Sequence, residues 1–125
     1  ELTVGIFNEM ALPVIEIVPR NKFFDFSAKY TSGLTDYIIP ANLPKNIYDQ
    51  FKRYALRAHK ALGCYAFSRV DIILSENNIP IVLEVNSIPG LTSTSLLPKA
   101  AQAININFKE LCLRLISLAY EKKRK

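Results

Sequence analysis

The run Ile81-Val-Leu-Glu-Val-Asn-Ser-Ile-Pro-Gly90 constrains this chain more than any other stretch. An apolar strand presents two oxygen-bearing side chains and is then stopped by Pro89-Gly90. Strand side chains alternate with period two, so Glu84 and Asn86 share a face while Val85 points away. Burying an unpaired carboxylate is costly, so that face needs a partner or water. Two such side chains at a strand end suit a hard cation such as magnesium, which in turn carries phosphates. The plainer alternative is an exposed strand edge with ordinary polar residues. Leu91-Thr-Ser-Thr-Ser95 then leads into a helix, and Ser68-Arg-Val-Asp71 lies just upstream.

Tyr65 to Leu74 and Ile79 to Val85 read as two strands. Glu76-Asn-Asn78 between them is turn chemistry, so a hairpin is predicted. Asp71 lies six residues before Asn77 and Glu84 seven after it. Such offsets set the two carboxylates beside each other across the ladder. Carboxylates that close repel unless a cation sits between them. Asp71, Glu84 and Asn86 are therefore candidate metal ligands. Magnesium fits better than calcium, because protein ligands are few and phosphate oxygens and water can complete the shell.

Arg69 shares the face of Asp71. It can neutralise a developing oxyanion, or simply pair with Asp71 or Glu84. Gly90 permits close backbone approach, so its N–H can face a reacting oxygen; a plain turn is the alternative. Ser95 and the Leu96 amide, at a helix start, can hold a carboxylate, although simple capping by Ser95 or Thr94 accounts for them equally well. Lys29 lies in a loop predicted over Ser27 to Asp36. It can reach a phosphate or be an ordinary surface lysine. His59 has no partner pattern and reads as structural. No nucleophile triad and no phosphate-binding P-loop occurs.

Elsewhere, Thr3 to Asn8 and Leu12 to Val18 read as strands, with Pro13 implying that the second starts late or sits at an edge. Phe23 to Phe26 is a possible third. Pro44 to Leu62 reads as a helix with Ile47, Phe51, Tyr54, Ala55, Ala58 and Leu62 on one face, stopped by Gly63. Leu96 to Ala103 is a short helix. Asn107 to Lys122 is the closing one, with a capping box from Asn107 and Glu110 and a buried stripe of Phe108, Leu111, Cys112, Leu115, Leu118 and Ala119.

The chain has 125 residues, half of them hydrophobic, which suits one unit with a real core. No apolar run approaches the roughly 18 residues of a membrane span. A strand at Glu1 to Phe7, with no initiator Met, makes a piece of a longer chain the expectation. The net charge of +5 hints at nucleic acid, but Lys122, Lys123, Arg124 and Lys125 supply four of those positives at the very end. They read as a solvated tail, and no nucleic-acid motif accompanies them. Cys64 and Cys112 lie far apart and read as buried free thiols.

Three segments together resemble the D-alanine–D-alanine ligases of the ATP-grasp superfamily: Phe24-Asp-Phe-Ser-Ala-Lys-Tyr30, Ser68-Arg-Val-Asp71, and Leu83-Glu-Val-Asn-Ser-Ile-Pro-Gly-Leu-Thr-Ser-Thr-Ser-Leu-Leu-Pro98. Glu1-Leu-Thr-Val4 is similar to a family segment as well. The resemblance implies an α+β fold, the ATP-grasp C-terminal subdomain, with a mainly antiparallel sheet and flanking helices. It implies that Asp71, Glu84 and Asn86 hold two magnesium (or manganese) ions with ATP. Lys29 would contact the terminal phosphate, Glu1 the ribose, and Phe23 and Leu83 the adenine. Arg69 and the Gly90 amide would form the oxyanion site. Ser95 and the Leu96 amide would grip the second D-alanine, and Tyr30 would mark D-alanine as acceptor. Phe24-Asp-Phe26 departs from the family, where Tyr is common. The partners implied are ATP and D-alanine, with no nucleic acid and no membrane, in a homodimeric enzyme of the bacterial cytoplasm serving peptidoglycan synthesis. The N-terminal and part of the central domain would be absent from residues 1–125, leaving this piece inactive alone. A D-alanine–D-lactate ligase, another carboxylate–amine ligase, and a non-catalytic basic binding module are the alternatives.

Overall fold

The computed structural model describes residues 1–19 and 35–124. The expected strand Phe23 to Phe26, the loop from Ser27 up to residue 34, and the site residues Phe23, Lys29 and Tyr30 lie outside the described residues. The strands are β1 (Leu2–Phe7), β2 (Met10–Ala11), β3 (Ile15–Pro19), β4 (Thr35–Ile38), β5 (Phe67–Leu74) and β6 (Pro80–Asn86). The helices are α1 (Lys45–Ala61), α2 (Leu96–Gln102) and α3 (Phe108–Arg124). Among the described residues all strand pairings are antiparallel, in the order β4-β3-β1-β5-β6, with β2 added to β1.

β1 is buried at every position, because helices cover both faces of the sheet at its centre. Leu2, Val4 and Ile6 meet Ile47, Phe51 and Ala55 of α1 in one apolar cluster. Phe7 joins Leu97, Ala100 and Ala101 of α2 and Leu111 and Leu115 of α3 in the other. A run covered on both sides shows no polar alternation, and only Thr3 and Gly5 interrupt this one.

α1 buries Ile47, Phe51, Ala55 and His59, one residue per turn. It stops at Gly63, whose φ of +70° suits the residue beyond a helix end. The Gly63 N–H then reaches the Lys60 carbonyl at 3.0 Å and that of Cys64 reaches His59 at 3.0 Å. Leu62, expected on the buried face, is 68% exposed, since the chain has left the helical path by then.

Several other expectations are corrected. Leu12 to Val18 is not one strand; β3 begins only at Ile15, after Pro13, as a late start requires. Thr35 and Asp36 are strand, not loop, because β3 offers β4 a pairing edge. At the start of α3 the Asn107 Oδ1 accepts the Glu110 N–H at 2.8 Å, a cap worth about 1 kcal/mol. The return half of the capping box is missing, because the Glu110 carboxylate takes Arg114 instead at 2.6 Å. The buried stripe of α3 narrows to Leu111 and Leu115, with Cys112 and Leu118 half-buried and Phe108 and Ala119 exposed. Cys64 and Cys112 are free and half-buried rather than buried. Among the described residues no helix is long and apolar enough to cross a membrane.

Candidate functional site

The β5–β6 hairpin closes through Asn78, which takes a positive φ of 59° and donates to the Ser75 carbonyl at 2.9 Å. Asp71 pairs with Glu84 and Arg69 with Asn86, so the two carboxylates are beside each other across the ladder as expected. The one-residue excess on the β6 side is a bulge. Asp71 faces Glu84 but Ile72 faces Val82, so Leu83 is the extra residue. Bulges re-aim side chains and recur beside functional sites. Here the bulge falls in a run on the edge strand, Ile81, Val82, Leu83 and Glu84, that is exposed throughout.

β1 supplies the third strip of the same face. Thr3 pairs with Asp71 and Gly5 with Arg69. The Asp71 carboxylate is 3% exposed, so it needs partners, and it has them. Arg69 donates from Nε to Oδ1 at 3.1 Å and from Nη2 to Oδ2 at 3.2 Å. Thr3 Oγ1 donates to Oδ1 at 2.8 Å. The ion pair anticipated as one role of Arg69 is therefore present. It leaves Nη1 and one Nη2 hydrogen for another anion.

Glu84 is exposed and Asn86 half-exposed. They touch only through a long contact of 3.5 Å from Asn86 Nδ2 to Glu84 Oε1. Among the described residues no three His, Cys, Asp or Glu side chains form a metal cage. The set present is two carboxylates and an amide, which fits a cation that keeps water and phosphate oxygens in its shell.

The loop after β6 folds back over this face. Pro89 is buried, and a Cβ on Gly90 would meet Ser95 Oγ at 3.1 Å, so the loop backbone runs close to the Ser95 side chain. Ser95 occupies the N-cap position of α2 without a capping hydrogen bond from its side chain. Its Oγ instead accepts the Thr92 N–H at 3.0 Å and contacts Thr92 Oγ1 at 2.7 Å. The capping alternative for Ser95 is thus not what the structure shows. Leu97, next along, sits on Gly5: a Cβ there would come within 2.6 Å of Leu97 Cδ1. Since Gly5 pairs with Arg69, this contact anchors the Ser95–Leu96 helix start over the strand position beside Arg69. Glu1 leads into β1, exposed, with its carbonyl accepting the Ile17 N–H at 2.9 Å.

Of the residues singled out in the sequence, the ladder sets Arg69 opposite Asn86 and Asp71 opposite Glu84, and the loop that follows brings Gly90 beside Ser95. Sequence reasoning misses Thr3 and Gly5. The signal was a lone hydroxyl and a lone glycine inside the otherwise apolar β1.

His59 lies on the opposite face, fully buried, with Nδ1 2.7 Å from Ser68 Oγ. Its Nε2 lacks a hydrogen bond and stands 3.7 Å from Glu9 Oε1. The carboxylate favours the tautomer with Nε2–H toward Glu9 and Nδ1 accepting from Ser68. Burial pushes the His59 pKa below the ordinary imidazole value, against the opposing pull of Glu9.

Comparison with known proteins gives a consistent likeness. A family model described as "D-ala D-ala ligase C-terminus" matches residues 1–117. A D-alanine--D-alanine ligase of Methylacidiphilum infernorum is 49% identical over 120 residues, 96% of this chain and 40% of that protein. One from Geotalea uraniireducens is 45% identical over 119 residues, 95% of this chain and 38% of its own length. The crystal structure of the Bacillus anthracis D-alanine--D-alanine ligase complexed with ATP superposes with a TM-score of 0.82 at 35% identity, covering 98% of this chain and 40% of that one. The VanG D-Ala:D-Ser ligase of Enterococcus faecalis gives 0.74 at 32% identity, over 94% of this chain and 35% of that one. The chain thus spans about 40% of the length of the first of these relatives.

Proposed function

The chain belongs to the D-alanine–D-alanine ligase C-terminal family, and from that premise we propose that it forms one wall of the active site of an ATP-dependent D-alanine–D-alanine ligase. The observation that carries the reading is the single sheet face holding Arg69, Asp71, Glu84 and Asn86 in adjacent register positions. Asp71, Glu84 and Asn86 are the residues that would hold two magnesium or manganese ions. When bound, those ions would screen the charge on the ATP phosphates.

In the reaction, the γ-phosphoryl of ATP passes to the carboxylate of the first D-alanine, releasing ADP. The amine of the second then attacks the acyl carbon and inorganic phosphate leaves, giving D-alanyl-D-alanine. Each step gathers negative charge on oxygen. Arg69, held by Asp71 yet with free N–H groups, and the Gly90 amide are suited to stabilise it. Ser95 and the Leu96 amide would hold the acceptor carboxylate; Ser95 Oγ accepts from the Thr92 N–H and keeps its own O–H to donate. Glu1 and Leu83 would meet the ribose and adenine, together with Phe23. Lys29 would meet the terminal phosphate and Tyr30 the acceptor side. Residues 1–125 would be the C-terminal portion of the ligase, working with N-terminal and central parts in a homodimer of the bacterial cytoplasm, for peptidoglycan precursor synthesis.

ADP release by the full-length protein, assayed with D-alanine and with D-lactate as acceptor, tests this. Activity with D-alanine is expected. Activity with D-lactate alone would replace the reading with the depsipeptide-forming one. Arg69→Lys keeps the charge but loses the planar fork, and kcat should fall on the order of 100-fold. An unchanged kcat would remove Arg69 from the oxyanion site.

A further inference from the structure

We propose that Thr3 is a positioning residue for the reaction: its buried hydroxyl fixes the Asp71 carboxylate in the one orientation that both braces Arg69 and leaves an oxygen lone pair for a divalent cation. The inference rests on the metal-dependent ligase reading above. Thr3 is 1% exposed and directly opposite Asp71 on the neighbouring strand. The other inward positions of β1 carry no polar atom, being Gly5 and Phe7. A hydroxyl here is not needed for packing, since valine has nearly the same shape and suits a strand interior better. What the hydroxyl adds is one proton to donate.

That proton has two acceptors in reach, Asp71 Oδ1 at 2.8 Å and the Val70 carbonyl at 3.2 Å. The shorter contact, to a charged acceptor, takes the larger share. A carboxylate torsion is broad and roughly two-fold, so its own rotamer preference does not set the plane of the Asp71 group. Arg69 alone would also leave it free to swing with the arginine, whose side chain is 19% exposed. Donors from two different strands, Thr3 on β1 and Arg69 on β5, define the plane. The filled positions are then one on Oδ2 from Arg69 Nη2, and two on Oδ1 from Thr3 and Arg69 Nε. With two lone pairs on each oxygen, the free position is on Oδ2. The cation would meet Asp71 there, with Glu84 beside it in the ladder.

The test is Mn2+ titration of the full-length protein in the presence of ATP, followed by electron paramagnetic resonance, with melting temperature measured in parallel. Thr3→Val should weaken Mn2+ binding about tenfold or more, the usual effect of removing a group that orients a metal ligand. Thr3→Ser, which keeps the donor, should restore it. Should Thr3→Val not fold, Thr3→Ala removes the same hydroxyl with less bulk and carries the same expectation. A fall in melting temperature with unchanged Mn2+ affinity would show a structural role only and overturn the proposal. So would Thr3→Ser binding as weakly as Thr3→Val. If the wild-type protein with ATP bound no Mn2+, the metal reading itself would fall, and this inference with it.

Discussion

Two buried polar side chains, on opposite faces of β5, show how burial makes a titratable group either tightly held or pH-sensitive. Asp71 accepts three hydrogen bonds, from Thr3 and twice from Arg69, which hold its buried carboxylate in place. His59 has only Ser68, and its second nitrogen is without a hydrogen bond. Burial is the largest influence and pushes its pKa down; of the groups that face it, Glu9 pulls the other way and Lys60 adds to the lowering. The unfolded chain keeps the ordinary value near 6.5. As pH falls below about that value, the unfolded state takes up a proton that the folded state refuses, so stability decreases. The loss continues until the lowered folded pKa is reached. Urea midpoints measured from pH 7.5 to 5.5 should fall more steeply in the wild-type protein than in His59→Gln. Parallel curves would mean that His59 is not the group responsible.

At the scale of elements, the site depends on how closely α2 can sit on β1. Leu97 is buried against Gly5, and Leu12 crowds the same point, with Cδ1 3.2 Å from where a Cβ would stand. Gly5→Ala should therefore cost about 1–3 kcal/mol through overpacking. Because Leu97 follows Ser95 and Leu96 directly, the helix start should move with it. The expected kinetic signature is a raised KM for the acceptor amino acid, with the KM for ATP much less affected. Equal effects on both would argue that α2 does not set the acceptor site. The bulge at Leu83 is the second such device. It lets Glu84 face Asp71 while an adenine-lining candidate sits next to it, which strict alternation would place on the other face alone.

For the whole molecule, the salient fact is how much apolar surface the hairpin side leaves open. Ile81, Val82 and Leu83 on the edge strand β6 are 45%, 38% and 51% exposed, and Ile88 beyond it is 88% exposed. The proposed phosphoryl transfer to a carboxylate needs water kept out, since an acyl phosphate in an open groove would meet water rather than an amine. The chain also spans about 40% of the length of its relatives. The 125-residue chain alone, given ATP, magnesium and D-alanine, is expected to make no D-alanyl-D-alanine; detection of the dipeptide would overturn this.

The sequence by itself determined whatever is encoded within a few residues or one turn. It placed the hairpin and set Asp71 near Glu84, because a short turn brings the two strands together; the exact pairing needed the bulge at Leu83. It placed α1, with its stop at Gly63, because apolar spacing and a left-handed glycine are local signals. It placed the oxygen-rich strand end and the helix start at Ser95 for the same reason. Only the tertiary structure decided that β1 lies between β3 and β5, since strand order joins residues 68 apart that no turn connects. That placement brings Thr3 to Asp71 and Gly5 under Leu97. It also decided that Glu110 spends its carboxylate on Arg114, that Leu62 is left in solvent, and that Thr35 and Asp36 join the sheet. Each is a competition between partners, and the winner depends on which atoms the fold brings within reach.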